Sequence, residues 1–308
     1  NWISNEGWLV EEVRDWHGVT FENGRITGLD LSDNNLTGSF PELAVELDKL
    51  ISVNLSGNTL VGVPDFTNLI INGSLASVDI TLNTLDFGAL DEVTDIANNS
   101  AYSFNPQSLL LEETSLIVES TADVELDRLI GGTGNLYQWF KDGNEVQGGI
   151  DPNLGIIPLP FLVFEVHDGA YYVEVTNLEY PGLTLETTAV NLKVSSLERD
   201  SLALLAIYDA MDGVSWTGTI VGWRRDAITP VKDWTGIVDA GNRISRINLP
   251  GRGLKNEAPE EIRDLTNLEV IDFSENEITG LPDVASLSRL ASVNVSGNKL
   301  EFDDILSL

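Results

Sequence analysis

The chain contains one stretch twice. Trp16-His17-Gly18-Val19 followed by Arg25-Ile26-Thr27-Gly28-Leu29-Asp30-Leu31 returns as Trp234-Thr235-Gly236-Ile237 followed by Arg243-Ile244-Ser245-Arg246-Ile247-Asn248-Leu249. A duplicated stretch of this kind dictates a modular chain, because each copy must close its own core. Inside each copy runs a shorter period. The frame LxxLxLxxNxL is met by Ile26, Leu29, Leu31, Asn34 and Leu36, by Leu50, Val53, Leu55, Asn58 and Leu60, and by Leu75, Val78, Ile80, Asn83 and Leu85. The second copy meets it with Ile244, Ile247, Leu249 and Leu254, with Leu268, Ile271, Phe273, Asn276 and Ile278, and with Leu290, Val293, Val295, Asn298 and Leu300.

These residues resemble leucine-rich repeats, in which each coil of about 20 to 29 residues holds one short strand. In LxL the outer two side chains point inward and the middle one outward, since side chains alternate along a strand. The resemblance implies that Asn34, Asn58, Asn83, Asn276 and Asn298 are structural, their amides satisfying backbone groups otherwise buried unpaired. Arg252 stands where Asn34 stands in the first copy, so a weaker ladder is expected there. One coil cannot bury its own apolar edge, so neighbours must stack.

The 308 residues exceed one ordinary core. Three domains are expected: residues 1–105 a leucine-rich repeat domain, 106–195 an all-β sandwich, 196–308 a second leucine-rich repeat domain. The fold class is thus multidomain, two short α/β solenoids of parallel strands with helical N-terminal caps, separated by the sandwich. Lys plus Arg number 17 against 49 Asp plus Glu, a formal charge of -32 that repels nucleic acids and anionic membrane surfaces. No apolar run approaches 18 residues, so no membrane insertion is expected. Cysteine is absent, which excludes disulfide frameworks, thiol nucleophiles and Cys-based zinc sites. It also argues against plant or animal extracellular repeats of this type, whose caps usually carry cysteine pairs, and points to a secreted or cell-surface bacterial protein.

Between the copies the frame gives way to alternating strands broken by turn residues. Tyr137-Gln138-Trp139-Phe140-Lys141-Asp142-Gly143 resembles the third strand of an immunoglobulin-like domain with its core tryptophan, and Asp168-Gly169-Ala170-Tyr171-Tyr172-Val173 resembles its tyrosine corner. The resemblance makes Trp139 and Tyr171 structural, with Val173 and Leu126 as the apolar pair replacing the family's disulfide. The last strand is expected over Thr188 to Val194. Gly131 to Gly134 reads as a hairpin loop, since no Lys-Ser or Lys-Thr and no helix follow it.

A short stack of coils needs caps. Before the second stack, Leu202, Leu205, Tyr208 and Met211 share one face of a helix expected to stop near Gly213. Trp216, Trp223 and Trp234 follow and map onto Trp2, Trp8 and Trp16, read as cap core in preference to a sugar platform. Copy one has no counterpart of the helix. Copy two matches the first stack's exit only through Glu301 to Leu306 and has no counterpart of Tyr102 to Gln107. Both ends read as cut from a longer chain with further copies of the modules, as in large modular surface proteins of Bacteroidetes-type bacteria.

The outward strand positions Asp30, Asn54, Asp79, Asn248, Asp272 and Asn294 form the candidate ligand-binding face, on the concave side this family uses. Strands about 4.8 Å apart bring three of these side chains within about 10 Å. Such a ladder suits a protein or glycan ligand held by weak contacts multiplied over many modules. The competing reading is a solvated face whose amides bond each other. The expected function is non-enzymatic adhesion, against a spacer or a glycan hydrolase; the last rests only on abundant acid. No cofactor is expected, and calcium enters from charge alone, because the EF-hand pattern begun at Asp30, Ser32 and Asn34 breaks at Asn35 and Pro41. The spacing of His17 and His167 fits neither a metal site nor a triad, and the Asn-x-Ser/Thr sequences at Asn35, Asn54, Asn72, Asn98 and Asn294 read as incidental.

Overall fold

The computed structural model describes residues 2–120, 122–147, 151–223 and 229–301, so the exit residues 302–306 lie outside the described residues. The molecule is mostly β with a little helix. Its chain divides into two compact units, residues 1–116, 123–160 and 169–192 in the first and residues 117–122, 161–168 and 193–308 in the second.

In the first unit the repeat frame becomes a ladder. Val19–Glu22 folds back antiparallel on Arg25–Asp30 through Asn23 and Gly24, both at positive φ as a tight hairpin requires. Arg25–Asp30 then pairs in parallel with Ser52–Asn54, which pairs with Ser77–Asp79, which pairs with Tyr102–Ser103. The flanking aliphatics Leu29, Leu31, Val53, Leu55, Val78 and Ile80 are all buried. In the second unit the same frame gives Ile237–Ala240, Arg243–Asn248, Val270–Asp272 and Ser292–Asn294 in one sheet, the last three parallel.

After each LxL the chain must turn sharply out of the strand. The residue just before the frame asparagine, or before Arg252, does so in the left-handed region every time: Asp33, Gly57, Leu82, Gly251, Glu275 and Gly297 have φ between 48° and 70°. At Gly57 a Cβ would also lie 2.0 Å from the Asp33 carboxylate, which would have to move aside. The asparagines bridge the turns. Asn58 Oδ1 accepts from the backbone N–H of Asn34 (3.0 Å) and Leu36 (2.8 Å), while its Nδ2 donates to the carbonyls of Leu31 and Leu55, both at 2.9 Å. Asn83 serves Leu60 N–H and the Leu55 carbonyl in the same way, and Gln107 takes the next rung, accepting from Leu85 N–H and donating to Ile80 O. In the second unit Asn298 accepts from Ile278 N–H and donates to Phe273 O.

At Arg252 the ladder is not thinned from below. Asn276 Oδ1 accepts from the N–H groups of Arg252, Gly253 and Leu254 at 2.8, 2.8 and 3.1 Å. The upward rung is changed. Asn34 bonds both backbone groups of Ser4, whereas in the second unit Thr217 N–H bonds Arg252 O at 2.7 Å and the Arg252 guanidinium donates to Thr217 O at 3.5 Å.

The segment after the first ladder forms two sheets built around antiparallel pairs. Asn135–Lys141 pairs with Gly169–Asn177, placing Trp139 opposite Val173, and Val124–Asp127 pairs with Ile156–Leu159, placing Leu126 opposite Ile157. All four are buried. The last strand runs over Val190–Ser195, two residues later than the turn signals suggest, because Thr187 N–H already bonds Val173 O and Thr188 N–H bonds Leu110 O.

The helix spans Leu197–Ala210. Ser196 caps it by accepting from Arg199 N–H, Glu198 and Asp200 sit in the first turn, and Asp212 at φ 57° ends it. Of the expected face, Leu205 and Met211 are buried and Tyr208 packs against the same core, while Leu202 is 49% exposed; Asp200, Leu204 and Ile207 are buried beside them. That stripe follows helical spacing, but its first member is an acid, which hides it from a reading by hydropathy.

Candidate binding face

The parallel register aligns the outward positions into rows. In the first unit Asp30 neighbours Asn54, which neighbours Asp79, which neighbours Ser103. In the second Asn248 neighbours Asp272, which neighbours Asn294. The structure therefore brings each expected trio together, with Asp30, Asn248 and Asn294 exposed and Asn54, Asp79 and Asp272 half-buried. A second row of small side chains, Gly28, Ser52 and Ser77, runs beside the first. Alternation of Asp and Asn sets a carboxylate beside an amide at every step, so neighbours attract and like charges are kept a strand apart.

The row is anchored by hydroxyls two residues downstream. Ser32 Oγ donates to Asp30 Oδ1 at 2.7 Å, Ser56 to Asn54 at 2.8 Å and Thr81 to Asp79 at 2.8 Å. Ser274 donates to Asp272 at 2.7 Å and Ser296 to Asn294 at 2.8 Å. In each case the same Oδ1 also accepts the backbone N–H of that residue. The signal for this was present as a repeated Asx-x-Ser/Thr triplet, which reads superficially as a glycosylation sequence at Asn54 and Asn294. It breaks once, at Asn248-Leu249-Pro250. One oxygen of each anchored side chain is thus held. At Asp272 the Ser274 hydroxyl holds the carboxyl below the usual carboxylate range, with burial opposing and the Ser274 N–H and Asn294 amide assisting.

Calcium requires several oxygen ligands at one point. Among the described residues no group of three or more His, Asp or Glu side chains comes together in a way that could hold a metal ion. His17 Nδ1 lies 3.6 Å from Glu6 on an exposed surface, and His167 Nδ1 accepts from Val163 N–H.

The residues read as structural are buried: Trp139, Tyr171, Leu126, Val173, Asn34, Asn58, Asn83 and Asn276, with Asn298 half-buried at the end of its ladder. The Trp139 indole N–H is buried without a hydrogen-bond partner among the described residues. Burial pushes the Tyr171 hydroxyl up to about 12, with the Asp142 charge assisting. Two features escaped sequence reasoning. The Gly131 to Gly134 loop docks on the helix Phe87–Asp91, where a Cβ on Gly132 would lie 2.6 Å from Phe87 and Asp86 accepts Gly131 N–H at 2.8 Å. In the second unit buried Arg243 donates to both oxygens of Asp200 and both of Glu119. Burial opposes its charge, but these two carboxylates outweigh it and raise the Arg243 pKa. No spacing rule links such distant positions.

A family model described as Leucine Rich Repeat matches residues 25–46 of the chain. Among solved structures, "Sidekick-1 immunoglobulin domains 1-5" is similar over 28% of this chain and 19% of that one, at 17% identity and a TM-score of 0.25. No helix among the described residues is long and apolar enough to cross a membrane.

Proposed function

We propose that the chain is a non-enzymatic binding module in which two short leucine-rich-repeat solenoids, residues 1–105 and 196–308, flank an immunoglobulin-like sandwich, residues 106–195. It engages protein or glycan ligands through the outward rows, weakly per module, as part of a longer tandem chain displayed on or secreted from a bacterial cell. The observation that carries this reading is the anchored row itself. Five of six side chains are held by a downstream hydroxyl and backbone N–H, so they meet a ligand with little rotamer freedom left to lose. Repeat and immunoglobulin-like domains are typically interaction modules, and a fixed exposed row suits binding better than turnover.

Three strands offer less than the roughly 800 Å² per partner of a standard stable interface, so affinity is expected to come from multiplicity. The test is a protein and glycan array probed with the chain as monomer and as streptavidin-linked tetramer. Binding by the tetramer alone, lost when Asp30→Ser and Asp272→Ser are combined, is the expected result. A tetramer that binds nothing, or that is indifferent to both substitutions, identifies a spacer. Release of sugars from a polysaccharide panel identifies a hydrolase instead.

A further inference from the structure

The duplication supplies its own comparison on the short strands that follow the asparagine turns. In the second unit this row is charged: Lys255 neighbours Glu277, Glu277 pairs with Lys299 at 2.7 Å, and the next exposed residue on its strand is Thr279. At the same frame positions the first unit has Thr37, Thr59 and Thr84, with Val61 in place of Thr279. The Thr59 and Thr84 hydroxyls donate to Leu36 O and Leu60 O, both at 3.0 Å, so the donors of this row are already taken. Such an uncharged row loses water at far lower cost than an ion pair does.

Leu109 and Leu111 add an apolar wall beside it. With Thr59, Val61, Thr84 and Glu112 they line a cavity of about 560 Å³ that lies wholly within the first unit. Val61, Leu109 and Leu111 are 55%, 50% and 45% exposed. The wall is pinned by its backbone, since Ser108 N–H donates to Asn83 O at 2.6 Å, Leu110 N–H donates to Glu186 O at 2.9 Å and Leu110 O accepts from Thr188 N–H at 3.0 Å. Leu110 is thereby buried while the leucines on either side of it stay in the open, and the groove is formed in advance of any partner.

Charge decides the occupant. The first unit has five of the 17 Lys and Arg but more than half of the 49 Asp and Glu. Arg14 pairs with Glu12, Arg25 and Lys49 with Asp48, and Lys141 with Asp142, while Arg128 is buried, so each cation is neutralised or withdrawn from the surface. The lining of the groove adds Asp86 and Glu112. A second copy of this chain, at -32, is repelled, as is an anionic lipid surface, and exposed leucines and valine suit apolar side chains better than sugar hydroxyls. From the exchanged row, the pinned leucines and this charge we propose that the groove between Thr59–Gly62 and residues 109–112 docks a basic, leucine-rich type of segment from a partner protein. Its apolar side chains meet Val61, Leu109 and Leu111, and its Lys or Arg meet Asp86 and Glu112. The groove is distinct from the outward rows and goes beyond the adhesive reading.

A fluorescent peptide alternating leucine and lysine, whose leucines share one face when extended, is titrated into the full chain and followed by anisotropy. Saturable binding is expected, and it should weaken as sodium chloride rises. The decisive variant combines Thr59→Glu, Val61→Thr and Thr84→Lys, which installs the second unit's ion pair without changing net charge. It should bind about tenfold more weakly or worse, with the circular dichroism of the native chain. Leu109→Asn, on the half-exposed wall, reads the same groove if the triple variant does not fold, and should weaken binding about fivefold. A peptide with serine for leucine should bind the native chain no better than the leucine peptide binds the triple variant. Absence of saturable binding, affinity indifferent to both groove variants, or equal binding of a leucine and glutamate peptide overturns the proposal. The chain with Asp30→Ser and Asp272→Ser should bind the peptide unchanged, so failure here and failure of the adhesive reading are told apart; weakened binding by that chain would place the peptide on the rows and overturn the groove.

Discussion

Asn58 illustrates how one side chain can set the spacing of coils. Its five hydrogen bonds serve the backbone of two coils at once, and truncation leaves buried donors and acceptors that water cannot reach. Asn58→Ala is expected to lower unfolding free energy by about 3 kcal/mol in urea denaturation. The opposite sign is expected at Leu82, a leucine at φ 54° with its side chain half in solvent. Leu82→Gly should stabilise by about 1 kcal/mol by the same measurement, because the left-handed region strains a branched side chain and suits glycine. Asp272 provides a third residue-scale test. Its folded pKa is depressed, so its contribution to stability is present above the ordinary carboxylate range and lost as pH falls through the folded value. In Ser274→Ala the Asp272 carboxyl, followed by NMR titration, should move up towards the ordinary range. An unchanged titration would mean that the hydroxyl does not anchor the row.

At the scale of the element, the helix Leu197–Ala210 separates hydropathy from burial. Its buried stripe is wider than hydropathy suggests: Leu205 and Met211 of the expected face are buried, and so are Leu204, Ile207 and Asp200, the last paired with Arg243. Leu204→Ala is expected to cost about 3 kcal/mol, and Leu202→Ala less than about 0.5 kcal/mol, in thermal or urea unfolding. Equal costs would mean that Leu202 packs as Leu205 and Met211 do. The short strands were legible for a simpler reason. Each is three to six residues with one inward pattern, and the frame repeats it often enough that a single misassigned coil would disturb every neighbour.

At the scale of the whole molecule, charge is the strongest influence outside the cores. A formal -32 over 308 residues repels itself, so raising sodium chloride should raise the melting temperature by screening. We expect calcium to act no more strongly than magnesium at equal concentration, and chelator to leave the melting curve where it was. A calcium-specific rise would instead point to a site built from oxygen ligands. The order of residues alone points to which aliphatics of each repeat turn inward and which Asp and Asn fall into outward rows. Those are local alternations repeated in register, and periodicity carries them without reference to distant residues. Folding in three dimensions was needed to settle the pairing of Arg243 with Asp200 and Glu119, the docking of Gly131 to Gly134 on Phe87–Asp91, and the pairing of Trp139 with Val173 and of Leu126 with Ile157. Each depends on residues far apart in the chain meeting with particular shape and charge, and a linear pattern holds no record of which distant surfaces will touch.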